Sequence, residues 1–398
     1  MKSYLRSFIA TYGFRNLFFL GYVFCLMYPM LATSTLLVLY AIASVLERNK
    51  ILDKKIETKA ILFGAIPVLI ALVALLRFGF QYYGLKELEK NITFLVLPIF
   101  CTTDYRNIKN LNVSIITSLF LGLVSLEIIS TISFLAKNNF NTLSSSLGAM
   151  RASTYLSDYV DVHHSYFSVL LSIAILGVIY HYKSVKIPKT ILNVLILFSI
   201  FYNVMLFART PLVLFLGGLV AVAIIKEHFK PQLLIVFGVL ICLLWMNRDS
   251  YAVRRIYLGS GNSDVENRVK LNRASWDVFL ESPVFGVGPD RIRYERLDKY
   301  RELNHVAAYK YLYNSHNQYL NYLSVNGLFG LFLFLFMIVV TIYITWKEKQ
   351  WFLLFSFLIF YLSCLAESYL ARNKGIVILS FLMVLFLVSN SSVFRKNE

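Results

Sequence analysis

Charge is scarce in this sequence. Only 15% of its 398 residues are Asp, Glu, Lys or Arg, whereas a soluble domain carries about a quarter. That shortage excludes a soluble globular core. Proline is scarce as well, with 8 residues, and no Pro-rich or low-complexity stretch divides the chain. The four cysteines (Cys25, Cys101, Cys242 and Cys364) are far apart, each in or beside an apolar run. They offer no CxxC or Cys/His spacing for a metal and no disulfide framework in a long loop. They read as packing residues. Internal repeats are not evident either, which weakens an inverted-repeat transporter reading.

Acidic residues are few against basic ones, 22 to 39, giving a formal net charge of +17. A nucleic-acid groove would alternate Arg and Lys with aromatics, and no such tract occurs. Nucleic acid is therefore not an expected partner. The basic residues sit largely in short segments flanking apolar runs, where they orient spans or attract anionic lipid headgroups.

What is abundant is apolar sequence: 58% of the chain, with 33 Phe and 26 Tyr. It comes in blocks near the roughly 20 residues that cross a bilayer as helix. The expected fold is all-α, a polytopic membrane protein of about twelve spans. They lie near 14–30, 31–46, 60–76, 92–103, 111–136, 165–182, 189–207, 211–225, 232–246, 319–346, 351–370 and 375–393. The basic N-terminus leads into the first without a convincing cleavage site and reads as a retained span. With both termini cytoplasmic, inside segments hold 19 basic residues and short outside segments 8. The other 12 lie in the long segment 247–318, and long translocated loops escape the positive-inside rule. The expected organisation is a bundle over 1–246, an outer loop over 247–318 and a second bundle over 319–398.

Candidate chemistry concentrates in and around that loop. Its arginines include Arg254, Arg255, Arg268, Arg273, Arg291, Arg293, Arg296 and Arg301, and the guanidinium fork matches phosphate oxygens in pairs. The plainer reading pairs them with neighbouring carboxylates such as Asp277, Asp290 and Glu295, weakly, at the surface. Arg209 stands between two apolar spans in Ala208-Arg209-Thr210-Pro211. An arginine at membrane depth costs at least ~2.5 kcal/mol unless it snorkels or finds a partner, so it either reaches the interface or holds an anion. Arg268 precedes an amphipathic run and then Pro283-Val284-Phe285-Gly286-Val287-Gly288, which reads as a tight turn with exposed N–H groups.

Further on, Asn314 or Ser315 would cap a helix entering the membrane, with His316 on its first turn. A helix N-terminus disfavours imidazolium, so His316 would be free to accept a proton; an ordinary interfacial role is the alternative. His163-His164 read as a substrate contact or as a helix cap. Glu367 and Arg372 would pair locally or line the site.

In order, these features resemble the O-antigen ligase and polymerase superfamily of bacterial envelope glycosyltransferases. The likeness is carried by Arg209 after a span, Arg268 ahead of Pro283-Val284-Phe285-Gly286-Val287-Gly288, and His316-Asn317-Gln318-Tyr319-Leu320 followed by Gly327-Leu328-Phe329-Gly330. It is specific over about 200–330 and architectural elsewhere; Thr210-Pro211 and Asn272 depart from the family's usual residues. The resemblance implies a glycan donor on undecaprenyl diphosphate, an acceptor sugar on lipid A-core or on a lipid-linked repeat, and a site at the periplasmic face of the inner membrane. It implies Arg209 and Arg268 as a diphosphate clamp and His316 as general base, with inversion and no metal or other cofactor. Asn317, Tyr319, Arg291, His164 and Glu367 would support them. Ligase and polymerase share the signature, and the complete His-Asn-x-Tyr-Leu set leans to ligase. A transporter or flippase of an anionic lipid would use the arginines and have no need of His316.

Overall fold

The apolar blocks fold as helices, because a backbone in an apolar surrounding must satisfy its own N–H and C=O groups. The computed structural model describes residues 2–46, 63–103, 111–137, 162–206, 208–226 and 262–390. Among these the secondary structure is all-helical: α1 Lys2–Phe24, α2 Met30–Leu46, α3 Ile66–Phe78, α4 Tyr82–Asn91, α5 Thr93–Thr103, α6 Asn112–Lys137, α7 His164–Tyr180, α8 Lys189–Met205, α9 Arg209–Ile225, α10 Asn262–Glu281, α11 Ile292–Glu302, α12 Val306–Tyr311, α13 Gln318–Lys347, α14 Trp351–Ser363 and α15 Asn373–Ser389. The expected ninth span, with Cys242, and the first part of the long segment, with Arg254 and Arg255, lie outside the described residues.

Two helices, Asn112–Ala136 of α6 and Gln318–Lys347 of α13, are long and apolar enough to cross a membrane. Several more are apolar and shorter, α2, α7, α8, α9 and α15 having 17 residues each, the lower end of spanning length.

The chain divides into two compact units, Met1–Ile56 with Phe100–Tyr257, and Glu57–Ile99 with Leu258–Glu398. In the first, α7 is buried on every side from Tyr166 to Ile179, the mark of a central helix. Its neighbours α6, α8 and α9 surround it. Small polar groups bind them: Ser168 donates to Asn203 at 2.6 Å, Asn203 donates to Ser172 at 3.0 Å, and Ser199 donates to the buried Glu127 at 2.8 Å. In apolar surroundings such interhelical bonds contribute about 0.6–2 kcal/mol each.

In the second unit α13 packs against α3, α10 and α14. From Asn262 onward the segment read as an outer loop carries the helices α10, α11 and α12. Helix α10 buries Leu271, Ala274, Ser275, Val278 and Phe279, the i, i+3, i+4, i+7 stripe of an amphipathic helix. Leu271 and Ala274 join Tyr300 and Ala308 in a small core of α10, α11 and α12. Asp290, expected to pair with arginine, instead caps α4: its carboxylate accepts the N–H groups of Tyr83 and Gly84 at 2.8 and 3.0 Å.

Helix α13 is not continuous. It breaks at Gly327, whose φ is 65°, and the Pro283–Gly288 turn splices into the gap. The N–H groups of Val287 and Gly288 donate to the carbonyls of Ser324 and Val325, each at 3.0 Å. In return Leu328 and Phe329 donate to the carbonyls of Pro283 and Val284 at 2.8 and 3.0 Å. The expectation of exposed N–H groups in this turn is therefore corrected: they satisfy the carbonyls that the helix break releases. The glycines follow from the close approach. A Cβ at Gly327 would lie 2.4 Å from the Val284 carbonyl carbon, and one at Gly286 would lie 2.3 Å from that of Val325. Gly327→Ala is expected to destabilise the protein by about 3 kcal/mol or more, from positive φ and backbone overlap together. Gly217→Ala, where a Cβ meets nothing within 4 Å, should be near neutral, and thermal melting of the two variants in detergent tests the contrast.

Candidate active site

The start of α13 is built to present one side chain. Asn317 is the N-cap, its carboxamide oxygen accepting from Tyr319 N–H at 3.0 Å and Leu320 N–H at 3.2 Å. Gln318 is buried and ties the helix to the segment after α14. Its N–H donates to the Cys364 carbonyl, and its side-chain oxygen accepts from Leu370 N–H, both at 2.8 Å. Tyr319 donates to the Tyr361 carbonyl at 2.9 Å. The bonds of Asn317 and Tyr319 fix the start of α13.

His316 sits one residue ahead of the cap, not on the first turn, with a left-handed φ of 44°. The cost of that conformation for a non-glycine residue, about 1–3 kcal/mol, is offset by local bonds. Its N–H donates to the Asn314 side chain at 2.9 Å, and the Tyr313 ring stands edge-on to the imidazole at 5.8 Å.

The imidazole Nδ1 lies 3.0 Å from Glu367 Oε2. Glu367 turns toward His316 rather than Arg372, and its other oxygen accepts the Ser368 N–H at 3.0 Å. Ser368 in turn meets Ser315 at 3.2 Å, and Ser315 donates to the Asn317 carbonyl at 2.8 Å. A carboxylate at Nδ1 holds the proton there and leaves Nε2 as the acceptor, because the partner of one ring nitrogen sets the state of the other. Side-chain exposure is 33% for His316 and 13% for Glu367, so the oriented imidazole remains reachable while its orienter is largely covered. His316 lies ahead of the helix rather than in it, and the Glu367 contact sets its tautomer.

Arg268, exposed on α10, donates to the carbonyl of Ala366 at 3.4 Å, the residue before Glu367. The fold thereby brings Arg268 to the same loop as the His316–Glu367 pair. Among the described residues it has no carboxylate partner. Other arginines of the segment follow the plainer reading: Arg291 pairs with Glu295 at 2.5 Å, Arg273 with Asp277 at 3.8 Å and Arg301 with Asp298 at 3.2 Å. Arg291 is 70% exposed in its pair and has the geometry of a surface ion pair.

Arg209 and His164 belong to the other unit. Arg209 is the first residue of α9 and is exposed. A cation is disfavoured at the positive end of a helix dipole, and an anion held there would reverse that cost. His164 opens α7, and His163 caps it, accepting the Ser165 N–H at 3.4 Å.

Residues 194–335 match the family model described as O-antigen ligase. Over this segment, just over a third of its length, the chain is similar to the O-antigen ligase family. No curated protein matches it. The matched segment runs from within α8 past the break in α13, so the O-antigen ligase domain contains Arg209, Arg268 and His316. Glu367 lies outside it, 51 residues beyond His316. The match supports a membrane glycosyltransferase of the ligase and polymerase type.

Two residues near this site stand out only in the fold. In the sequence Glu367 fits either a local pair or a place in the site, since only the fold reveals which side chain it meets. Arg296 was one arginine among many. It is buried at 6% exposure and donates to Asn321 at 3.0 Å and Ser324 at 2.6 Å. Burial pushes its guanidinium down to about 10, which leaves it charged at neutral pH.

Proposed function

We propose that the protein transfers a glycan from undecaprenyl diphosphate to an acceptor sugar at the periplasmic face of the bacterial inner membrane, as an O-antigen ligase acting on lipid A-core. The observation that carries this reading is the His316–Glu367 pair at 3.0 Å, held beside Arg268 and lying at the head of the ligase domain's last helix. Binding of an anionic lipid by a transporter or flippase would use the arginines and would not require His316.

In this reaction Nε2 of His316 takes the proton of the acceptor hydroxyl as that oxygen attacks the anomeric carbon. The bond from the anomeric carbon to the diphosphate oxygen breaks, and undecaprenyl diphosphate departs with the electron pair. Arg209 and Arg268 stabilise the charge that develops on it, the task for which fixed guanidinium donors are suited. The proton on His316 then leaves to the diphosphate or to water. One displacement from the face opposite the leaving group inverts the anomeric configuration. The arginines supply the charge stabilisation that a divalent ion supplies elsewhere, and the proposed mechanism is metal-independent. About twelve spans with both termini cytoplasmic would place Arg209, Arg268 and His316 at the outer face.

Deletion of the gene in its host tests the ligase assignment. The expected outcome is loss of polysaccharide from lipid A, with long chains accumulating on the lipid carrier. Accumulation of single repeat units would instead assign a polymerase.

A further inference from the structure

The second unit holds a partly open cavity of about 180 Å³, room for on the order of ten waters or a single sugar ring. Helix α3 supplies one wall through Ala71 and Ala74, and the start of α13 supplies another through Gln318 and Asn321. Arg296 lines it with its Nε left without a hydrogen-bond partner. Two features mark it as a ligand site. The first is charge: a buried guanidinium needs a counter-anion, and Arg296 makes its hydrogen bonds to neutral groups alone, Asn321 and Ser324. The one carboxylate in the lining, Glu87, is already paired with Lys90. The second is position: Asn314, also in the lining, accepts the His316 N–H, so the cavity wall and the loop carrying His316 share a residue.

We infer that this cavity is the acceptor subsite and that it takes an anionic sugar, with the phosphate or carboxylate on Arg296. The inference rests on the glycan-transfer reading above, in which the base must face the acceptor hydroxyl. Asn91, Asn314 and Gln318 in the lining are suited to sugar hydroxyls, and the cavity has room for a single ring.

The test is binding to purified full-length protein in detergent, followed by thermal melting in glucose 1-phosphate, sodium glucuronate, inorganic phosphate or glucose. An anionic sugar is expected to raise Tm by about 2 °C at tenfold excess over Kd, and glucose to leave it unchanged. A rise with glucose 1-phosphate alone assigns a phosphorylated sugar, and one with glucuronate alone a uronate; either supports the inference. Arg296→Gln and the cavity-filling Ala71→Leu should both abolish the rise, the second without touching the Arg296 bonds. Arg268→Ala should keep it, which separates this site from the donor clamp. A rise that survives Ala71→Leu, an equal rise with glucose, or no rise with any of the four probes would overturn the inference. Failure of the transfer reading would show separately, as absence of product from the wild-type protein.

Discussion

Alanine at position 316 is expected to lower the rate of glycan transfer by about 10²–10⁴-fold, the usual contribution of a positioned general base, while donor binding is retained. The expectation follows from geometry. The imidazole is oriented by Glu367 at 3.0 Å and anchored by its own backbone bond to Asn314. It touches no group assigned to the diphosphate, so its removal takes away proton transfer and leaves the clamp. Glu367→Gln should be milder, on the order of 10² in kcat, because the imidazole remains while its tautomer is no longer enforced. As a positioning residue, Glu367 should affect kcat and leave the donor KM unchanged. A wild-type rate for His316→Ala would remove the base from the mechanism.

The clamp arginines are expected to behave differently. Arg268→Ala and Arg209→Ala should each reduce kcat by about 10²–10³, as loss of a transition-state donor does, and should also raise the donor KM. Both effects are expected because the diphosphate is present in the ground state and gains charge as the glycosidic bond breaks. Arg268→Lys should recover part of the KM effect and little of kcat, since a point charge does not reproduce the guanidinium fork. Rates and donor affinities measured in proteoliposomes decide this. If either alanine variant keeps both the wild-type KM and kcat, that residue is no part of the clamp. Strict dependence on added Mg²⁺ or Mn²⁺ would separately contradict a metal-free reaction.

The parts of this architecture that were legible in the sequence are those with local causes. Apolar blocks mark helices such as α6, α7 and α13, and their boundaries fall within a few residues of the expected ones. Helix α4 was not legible, because ten largely polar residues read as loop and its cap, Asp290, comes from 206 residues away. The cap of α13 was misplaced for a related reason. Asn314, Ser315 and Asn317 are all competent caps, and the choice of Asn317 depends on Gln318 reaching the Cys364 carbonyl. Similarly, Pro283–Gly288 and Gly327–Gly330 were legible as motifs but not as two halves of one backbone splice. His316, the proposed base, stands out by residue type and context, whereas the carboxylate it meets is visible only in the fold.

The measurement that bears most directly on the mechanism is the anomeric configuration of the new glycosidic bond. It is read by NMR on product made by the purified protein in liposomes, from an undecaprenyl diphosphate-linked glycan and an acceptor, in the presence of EDTA. Product with inverted configuration is expected, formed by the wild-type protein and not by His316→Ala. Retention of configuration would require a double displacement or a same-face attack and would contradict a single in-line displacement with His316 as base.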